Sequence, residues 1–257
     1  MLKIIPLPAF KDNYIWLLVN PDNRFCAIVD PGDAQPVLDY LAAQQLTPCA
    51  VLITHHHNDH SGGIAVLHEK FPAMSIYGPV DDNVAGVNHP VGEDEVVKLP
   101  ELGLELVVIG IPGHTLGHIA YFGENMLFCG DTLFAAGCGR VFEGTPPQMY
   151  HSLQKLANLP MNTEVYCGHE YTAANLRFAA TVEPENADIK ALLEKVNAQR
   201  ERNEVTLPST MQQEKLTNPF LRADMKNVIN SVQQHFNQQF ADPVSVFQAT
   251  RAWKDTF

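Results

Sequence analysis

"THHHNDHSGG", Thr54–Gly63, is the stretch on which the fold is decided. It concentrates histidine and aspartate in a chain that has eleven histidines in all. His55 and His57 stand two apart. In an extended chain such residues point to the same side, so both can face one ion while His56 faces elsewhere. Asp59 and His60 follow and can face a second ion. Just upstream, "AVLI" is a short apolar run with the pattern of a buried strand. The ligand-type residues therefore follow the C-terminal end of a strand.

The same arrangement recurs down the chain. "LELVVIGIPG" runs into His114, "NMLFCG" into Asp131 and "EVYCG" into His169. Gly113, Gly130 and Gly168 each stand directly before the ligand-type residue. Glycine permits tight turns and close backbone approach. Strand ends lie side by side in a sheet, so these residues are expected to converge on one rim. Seven such side chains are too many for one tetrahedral ion with an open position. They suit two ions about 3.5–4 Å apart with a carboxylate between them. Imidazole and carboxylate without thiolate fit zinc, iron or manganese.

A histidine triplet alone is as readily a surface feature as a metal site. A lone His114 or Asp131 is more often a turn former or a satisfied core residue. The order of the set and its repeated strand-end placement decide for metal. His118 in "HTLGH" is assigned a structural role or one supporting the ligands, not direct ligation, and Cys167 is read as an inert, buried thiol. His68, His89, His151 and His235 have no such context and are read as surface residues.

The wider chain is consistent with an enzyme. Its 257 residues are 46% hydrophobic and 18% charged, the balance of a soluble globular protein. No apolar run approaches the roughly 20 residues of a membrane span. "MLKIIPLPAF" is too short in its apolar part, and too broken by proline, for a secretory signal. The five cysteines form no CxxC pair and are odd in number, so a disulfide framework is not implied and a cytoplasmic location is expected. The net charge of -12 argues against nucleic-acid binding. An anionic substrate would need a local cluster of basic residues.

Short strand-like runs fill the first two-thirds. "NYIWLLVN" and "RFCAIVD" flank the turn "PDN" as a hairpin. "AQPVLDYLAAQ" spaces Val37, Leu38 and Leu41 as an amphipathic helix does. Further strands are expected at "SIYG" and "IAYFG". A helix begins behind Thr145, with Pro146 as its first residue and Met149, Leu153 and Leu156 on its buried face. After about residue 172 strand signals vanish. "IKALLEKVNAQRE", "MKNVINSVQQHFNQQF" and "PVSVFQATRAWKDTF" read as helices, the last started by Asp242 and Pro243. The expected division is an α/β domain over 1–172 and an all-α domain over 173–257.

"THHHNDHSGG", with "PGHTLGH", "GDTLF" and "CGHEYT" after it in order, resembles the metal motifs of the metallo-β-lactamase superfamily. "IVDPGD" resembles its N-terminal strand-turn, where Asp30 would support the site without binding metal. "GDTLFAAGCGRVFEGT", "VYCGHEYT", "LPSTMQQEKLTNPFLR" and "RAWKDTF" together resemble the glyoxalase II (hydroxyacylglutathione hydrolase) family, over nearly the whole chain. The resemblance implies an αββα sandwich of two mixed β-sheets with outer helices, plus the helical C-terminal domain. It implies that His55, His57 and His114 hold one ion, that Asp59, His60 and His169 hold the other, and that Asp131 bridges them. Zinc is the first choice of metal, with iron or manganese as alternatives. Arg140, Tyr171, Arg251 and Lys254 would hold a glutathione thioester. Phe142 stands where some relatives carry a tyrosine, so a phenol hydrogen bond to substrate would be absent there. The implied reaction is hydrolysis of S-D-lactoylglutathione by hydroxide generated at the two-metal centre, with Asp59 and Asp131 as catalytic residues and the protein a monomer. The complete ligand set and "RAWKDTF" separate this family from the sulfur dioxygenases of the same superfamily. Arg251 and Lys254 also have a bland reading, as cations near the negative end of a helix dipole.

Overall fold

The computed structural model describes residues 2–22 and 24–257. The chain divides into two compact units: Met1–Gly110 with Thr115–Gly130, and Ile111–His114 with Asp131–Phe257.

In the first unit, β1 (Lys3–Ala9), β2 (Asn13–Val19) and β3 (Phe25–Val29) run antiparallel. The β2–β3 hairpin is the expected one; Asn23, the last residue of its "PDN" turn, lies outside the described residues. β4 (Thr47–Leu52), β5 (Ser75–Pro79) and β6 (His89–Val91) extend the sheet in parallel. All of β2 is buried, as a strand covered on both faces must be. α1 (Ala34–Gln44) follows β3 and is capped by the Asp33 carboxylate, which accepts from the Gln35 N–H. Its Val37 and Leu41 enter a core with Ile15, Leu17, Ile28 and Val51. α2 (Asn58–Ser61) is a single turn, and α3 (Ile64–Lys70) follows it. Gly62 ends α2 and Gly63 starts α3. A Cβ on Gly63 would lie 2.5 Å from the Pro31 carbonyl oxygen, so this pair lets the histidine-rich loop press on the turn after β3. A second sheet is antiparallel: β7 (Val96–Leu99), β8 (Leu104–Gly110), β9 (Ile119–Gly123) and β10 (Met126–Gly130).

In the second unit, β11 (Leu133–Phe134) pairs with β12 (Gly137–Cys138), and β13 (Glu164–Cys167) with β14 (Ser209–Thr210). The helices are α4 (Pro146–Ala157), α5 (Thr172–Val182), α6 (Ala187–Glu201), α7 (Met211–Thr217), α8 (Lys226–Phe236) and α9 (Pro243–Thr256). α4 starts as expected: Thr145 and Gln148 form a reciprocal capping box, and Met149, Leu153 and Leu156 are buried. Asp242 and Ser245 do the same for α9. The rest departs in detail. α8 stops at Phe236 because Asn237 turns left-handed, with φ 49°. α5 and α7 were not foreseen, and β14 is a strand beyond residue 172. α4 also packs on α9, where the Tyr150 and Phe247 rings lie 5.8 Å apart. The second compact unit thus takes in Ile111–His114 and everything from Asp131 on, while the sequence pattern changes near 172.

Candidate metal centre

In the first unit the loop after β4 carries His55–His57 in extended form, and His57 is the N-cap of α2. His55 Nε2 lies 3.1 Å from His57 Nδ1. The tautomer of His55 follows from its neighbours. The Thr54 hydroxyl gives its one proton to Asp30 Oδ2, at 2.7 Å. It therefore accepts from His55 Nδ1–H, at 3.0 Å. That leaves a lone pair on His55 Nε2, directed at His57. Asp30 also accepts from the Thr54 N–H at 2.8 Å and from His60 Nδ1 at 3.0 Å. Both of its oxygens are thus occupied in orienting the loop, as expected for a supporting residue. His60, only 1% exposed, is left with Nε2 as its lone-pair nitrogen, 3.5 Å from Asp59 Oδ2. Histidines that bind metal through one nitrogen almost always donate from the other in this way.

His56 packs its ring edge-on against His57, with centres 4.9 Å apart, and turns to Asp82. Its N–H donates to Asp82 Oδ2, and its Nδ1 lies 3.1 Å from the same oxygen. Asp82 also accepts from Thr115 Oγ1 and the Gly117 N–H. His118 is buried and stacks on His55 with ring centres 4.5 Å apart, which agrees with a structural role.

In the second unit Asp131 stands between two histidines. Its Oδ2 is 3.6 Å from His114 Nε2 and 3.3 Å from His169 Nε2. His114 Nδ1–H donates to the Arg140 carbonyl at 2.8 Å, so the lone pair is again on the nitrogen facing the carboxylate. Gly113, with φ 155°, leaves room that a Cβ would contest with Met149 Cα at 2.8 Å. Gly139 is held still more closely: a Cβ there would lie 1.9 Å from the Asp131 carbonyl oxygen. Burial pushes the Cys167 thiol up to about 12 and the Cys138 thiol to about 11. Cys167 Sγ lies 3.7 Å from the His169 carbonyl oxygen and Cys138 Sγ 3.7 Å from Arg251 Nη1.

Asp131 and His114 also help to line a cavity of about 420 Å³, with Phe134, Arg140, Tyr171 and Asn175 among its walls and Arg251 and Lys254 from α9. Tyr171 stacks on His169 with ring centres 4.7 Å apart. Arg251 is nine-tenths buried. It donates to the Cys138 carbonyl at 2.8 Å and to Asp255 Oδ1 at 2.9 Å. Arg140 Nε lies 3.6 Å from the same Asp255 oxygen. Burial lowers the pKa of Lys254, as do the nearby cations Arg251, Arg177 and Arg140. In a chain of net charge -12 this is a concentrated basic wall. Lys254 lies in the last turn of α9; Arg251 sits a turn earlier, so the helix dipole explains Lys254 better than Arg251. Phe142 is 62% exposed, with its ring 5.1 Å from that of His114.

Sequence reasoning missed the groups that hold this wall. Asn218 Nδ2 donates to the Phe134 and Gly137 carbonyls, and Asn175 Nδ2 to the Ala135 carbonyl. Glu214, wholly buried, accepts from the Ala136 N–H and from Asn218. Burial raises Glu214 to about 7 against these hydrogen bonds. A carboxyl raised in the folded state stabilises the fold below its unfolded pKa and loses that contribution as pH rises through the folded one. Glu214→Gln is therefore expected to gain stability relative to the parent between about pH 4.5 and 7. The limit is about 1.4 kcal/mol per pH unit, read by urea unfolding of both proteins across that range. A constant difference would show that Glu214 does not titrate there.

The comparisons with known proteins agree with this geometry. Residues 10–169 match the model of the metallo-beta-lactamase superfamily. Residues 170–257 match that of the hydroxyacylglutathione hydrolase C-terminus. The hydroxyacylglutathione hydrolase of Nitrosomonas europaea is 51% identical over all of this chain and 97% of its own. That of Vibrio parahaemolyticus is 52% identical over the whole of both. Among solved structures, the BLEG-1 B3 metallo-beta-lactamase superposes with a TM-score of 0.64 at 25% identity, covering 86% of this chain and 99% of that one. The fold is that of the superfamily, two mixed sheets flanked by helices, with the helical C-terminal region added. On full-length identity and on both family models, the chain belongs to the hydroxyacylglutathione hydrolase family of metallo-beta-lactamase-fold enzymes.

Proposed function

We propose that the protein hydrolyses S-2-hydroxyacylglutathiones, S-D-lactoylglutathione first among them, to glutathione and the hydroxy acid at a centre of two divalent ions. The observation that carries this is the cavity in which Asp131 and His114 share walls with Arg140, Arg251 and Lys254. Metal-type donors and an anion cradle there face one space. In this reading His55, His57 and His114 hold one ion, Asp59, His60 and His169 the other, and Asp131 serves both. Zinc fits the donors, as iron and manganese do. The donor chemistry supports the assignment: His55 Nε2 and His57 Nδ1 lie 3.1 Å apart, close enough for one cation or one proton to serve both. The catalytic domain spans 1–172 and the substrate-binding domain 173–257. Five free thiols, four of them buried, suit a reducing cytoplasm, and the protein acts as a monomer.

Bound divalent ions would supply Lewis acidity and a water activated near neutral pH. The chain's own residues do the rest. Asp59 orients the attacking water as well as binding metal. Arg140, Tyr171, Arg251 and Lys254 hold the peptide portion of the substrate and so place the thioester carbonyl. The leaving thiolate is stable enough near pH 7 to depart without a general acid. Phe142 offers an apolar surface with no hydrogen bond. Metal-stripped protein should show no thioesterase activity. Two equivalents of Zn(II) should restore it, measured as free thiol released from S-D-lactoylglutathione. A fully metallated protein that releases no thiol would sink the reading. Among the described residues no helix is long and apolar enough to cross a membrane.

A further inference from the structure

Asn13 opens β2 and is only 6% exposed. A buried amide must place its hydrogen bonds inside the protein. Asn13 Nδ2 donates to Asp59 Oδ2 at 3.0 Å and to the Asp59 carbonyl oxygen at 3.3 Å. One NH₂ group thus grips the side chain and the main chain of the same residue. This couples the carboxylate's rotation to its own backbone. The backbone is confined independently, because a Cβ on Gly32 would lie 1.9 Å from the same carbonyl oxygen. The Asp59 side chain is 43% exposed, so enclosure alone does not select its rotamer. The adjacent His60 ring is set by Asp30 through Nδ1, at 3.0 Å. The two atoms that face each other, Asp59 Oδ2 and His60 Nε2, therefore each have a dedicated partner behind them, and both partners come from the ends of β2 and β3.

We propose that Asn13 is a positioning residue that presets the Asp59 carboxylate beside His60 and so fixes the affinity of the metal position these two residues form. The inference rests on the two-ion reading above. Loss of a partner that orients a ligand typically weakens a metal site about 10–100-fold. The loss should be confined to the position that includes Asp59, since the hydrogen bonds of His55 to Thr54 do not involve Asn13.

The experiment compares wild type with Asn13→Ala and Asn13→Leu, each stripped of metal and titrated with Co(II). Binding is followed by calorimetry and by the visible d–d bands of each equivalent. Both variants should bind one equivalent as wild type does and the other about tenfold or more weakly, with altered bands for that equivalent alone. Asn13→Leu keeps the number and branching of the side-chain heavy atoms without their hydrogen bonds, so it answers the question if Asn13→Ala fails to fold. Two equivalents bound as in wild type would overturn the proposal. So would equal weakening of both, which would mark Asn13 as a purely structural residue. Wild type that binds two Co(II) ions but leaves the thioester intact would refute the proposed activity and leave the Asn13 assignment standing.

Discussion

Asp131→Asn is expected to lower thioesterase kcat by about a thousandfold or more, and to reduce bound metal from two equivalents to one or none. The magnitude comes from the residue's double duty. Losing even an indirect partner of a metal ligand costs about 10–100-fold in affinity; a carboxylate that serves two ions is lost to both at once. Its place cannot be taken by a neighbour's adjustment. Gly130 before it has φ 46°, and a Cβ there would meet Thr54 Oγ1 at 2.3 Å. Gly139 is locked against the Asp131 carbonyl. The side chain is thus presented from a rigid backbone, with Oδ2 facing His114 Nε2 and His169 Nε2. Asparagine keeps the shape but removes the charge. An NH₂ in place of the oxygen would donate to those ring nitrogens and close the site without metal. Metal analysis and steady-state kinetics on one preparation read both effects, and circular dichroism checks the fold. A variant with two tightly bound ions and near-normal kcat would remove Asp131 from its assigned role.

The ligand-type residues were legible because each follows a short apolar strand, and strand patterns are local. α4 was legible for the same reason: Thr145, Pro146 and Gln148 state its start within a few residues of chain. The hydrogen-bond partners that orient these residues were not legible. Asp82 reaches His56, Thr115 and Gly117 across long stretches of sequence, and nothing in its own surroundings, "VDDN", announces this. Asn13 and Asp255 are similar. A short polar residue beside a turn or at a helix end has a ready local explanation, and only tertiary packing brings its true acceptor or donor into reach. The end of α8 was misjudged because polar glutamines continue the helical pattern while Asn237 changes backbone region. β14 could not be read at all, since a two-residue strand exists only through its pairing with β13. The family resemblance pointed, as periodicity could not, to Arg251 and Lys254, which are distant in sequence from His114 and line one cavity with it.

Arg251→Ala is expected to raise KM for the glutathione thioester about 10–100-fold while kcat changes no more than about threefold. Arg251 donates through Nη1 to the Cys138 carbonyl and through Nη2 to Asp255, and its guanidinium lies 5.0 Å from the Phe220 ring centre. It is fixed before substrate arrives, so little side-chain entropy is lost on binding. A hydrogen bond to a charged group is worth about 1.5–3 kcal/mol, which corresponds to roughly ten to a hundredfold in affinity. In the proposed reading, Arg251 meets the substrate at its peptide portion, remote from the scissile bond. Such a contact would bind ground state and transition state alike, so its loss is expected to fall on KM. Truncation also leaves Asp255 with Arg140 as its remaining cationic partner at 3.6 Å, and some stability should be lost with it. That is why the split between KM and kcat decides: a general weakening of the fold lowers the active fraction and hence apparent kcat, without moving KM. Arg251→Lys keeps the charge but not the planar fork that reaches two acceptors, and its KM should fall between wild type and alanine. An unchanged KM in Arg251→Ala would mean that this buried guanidinium serves only to fasten α9 to the loop at Cys138.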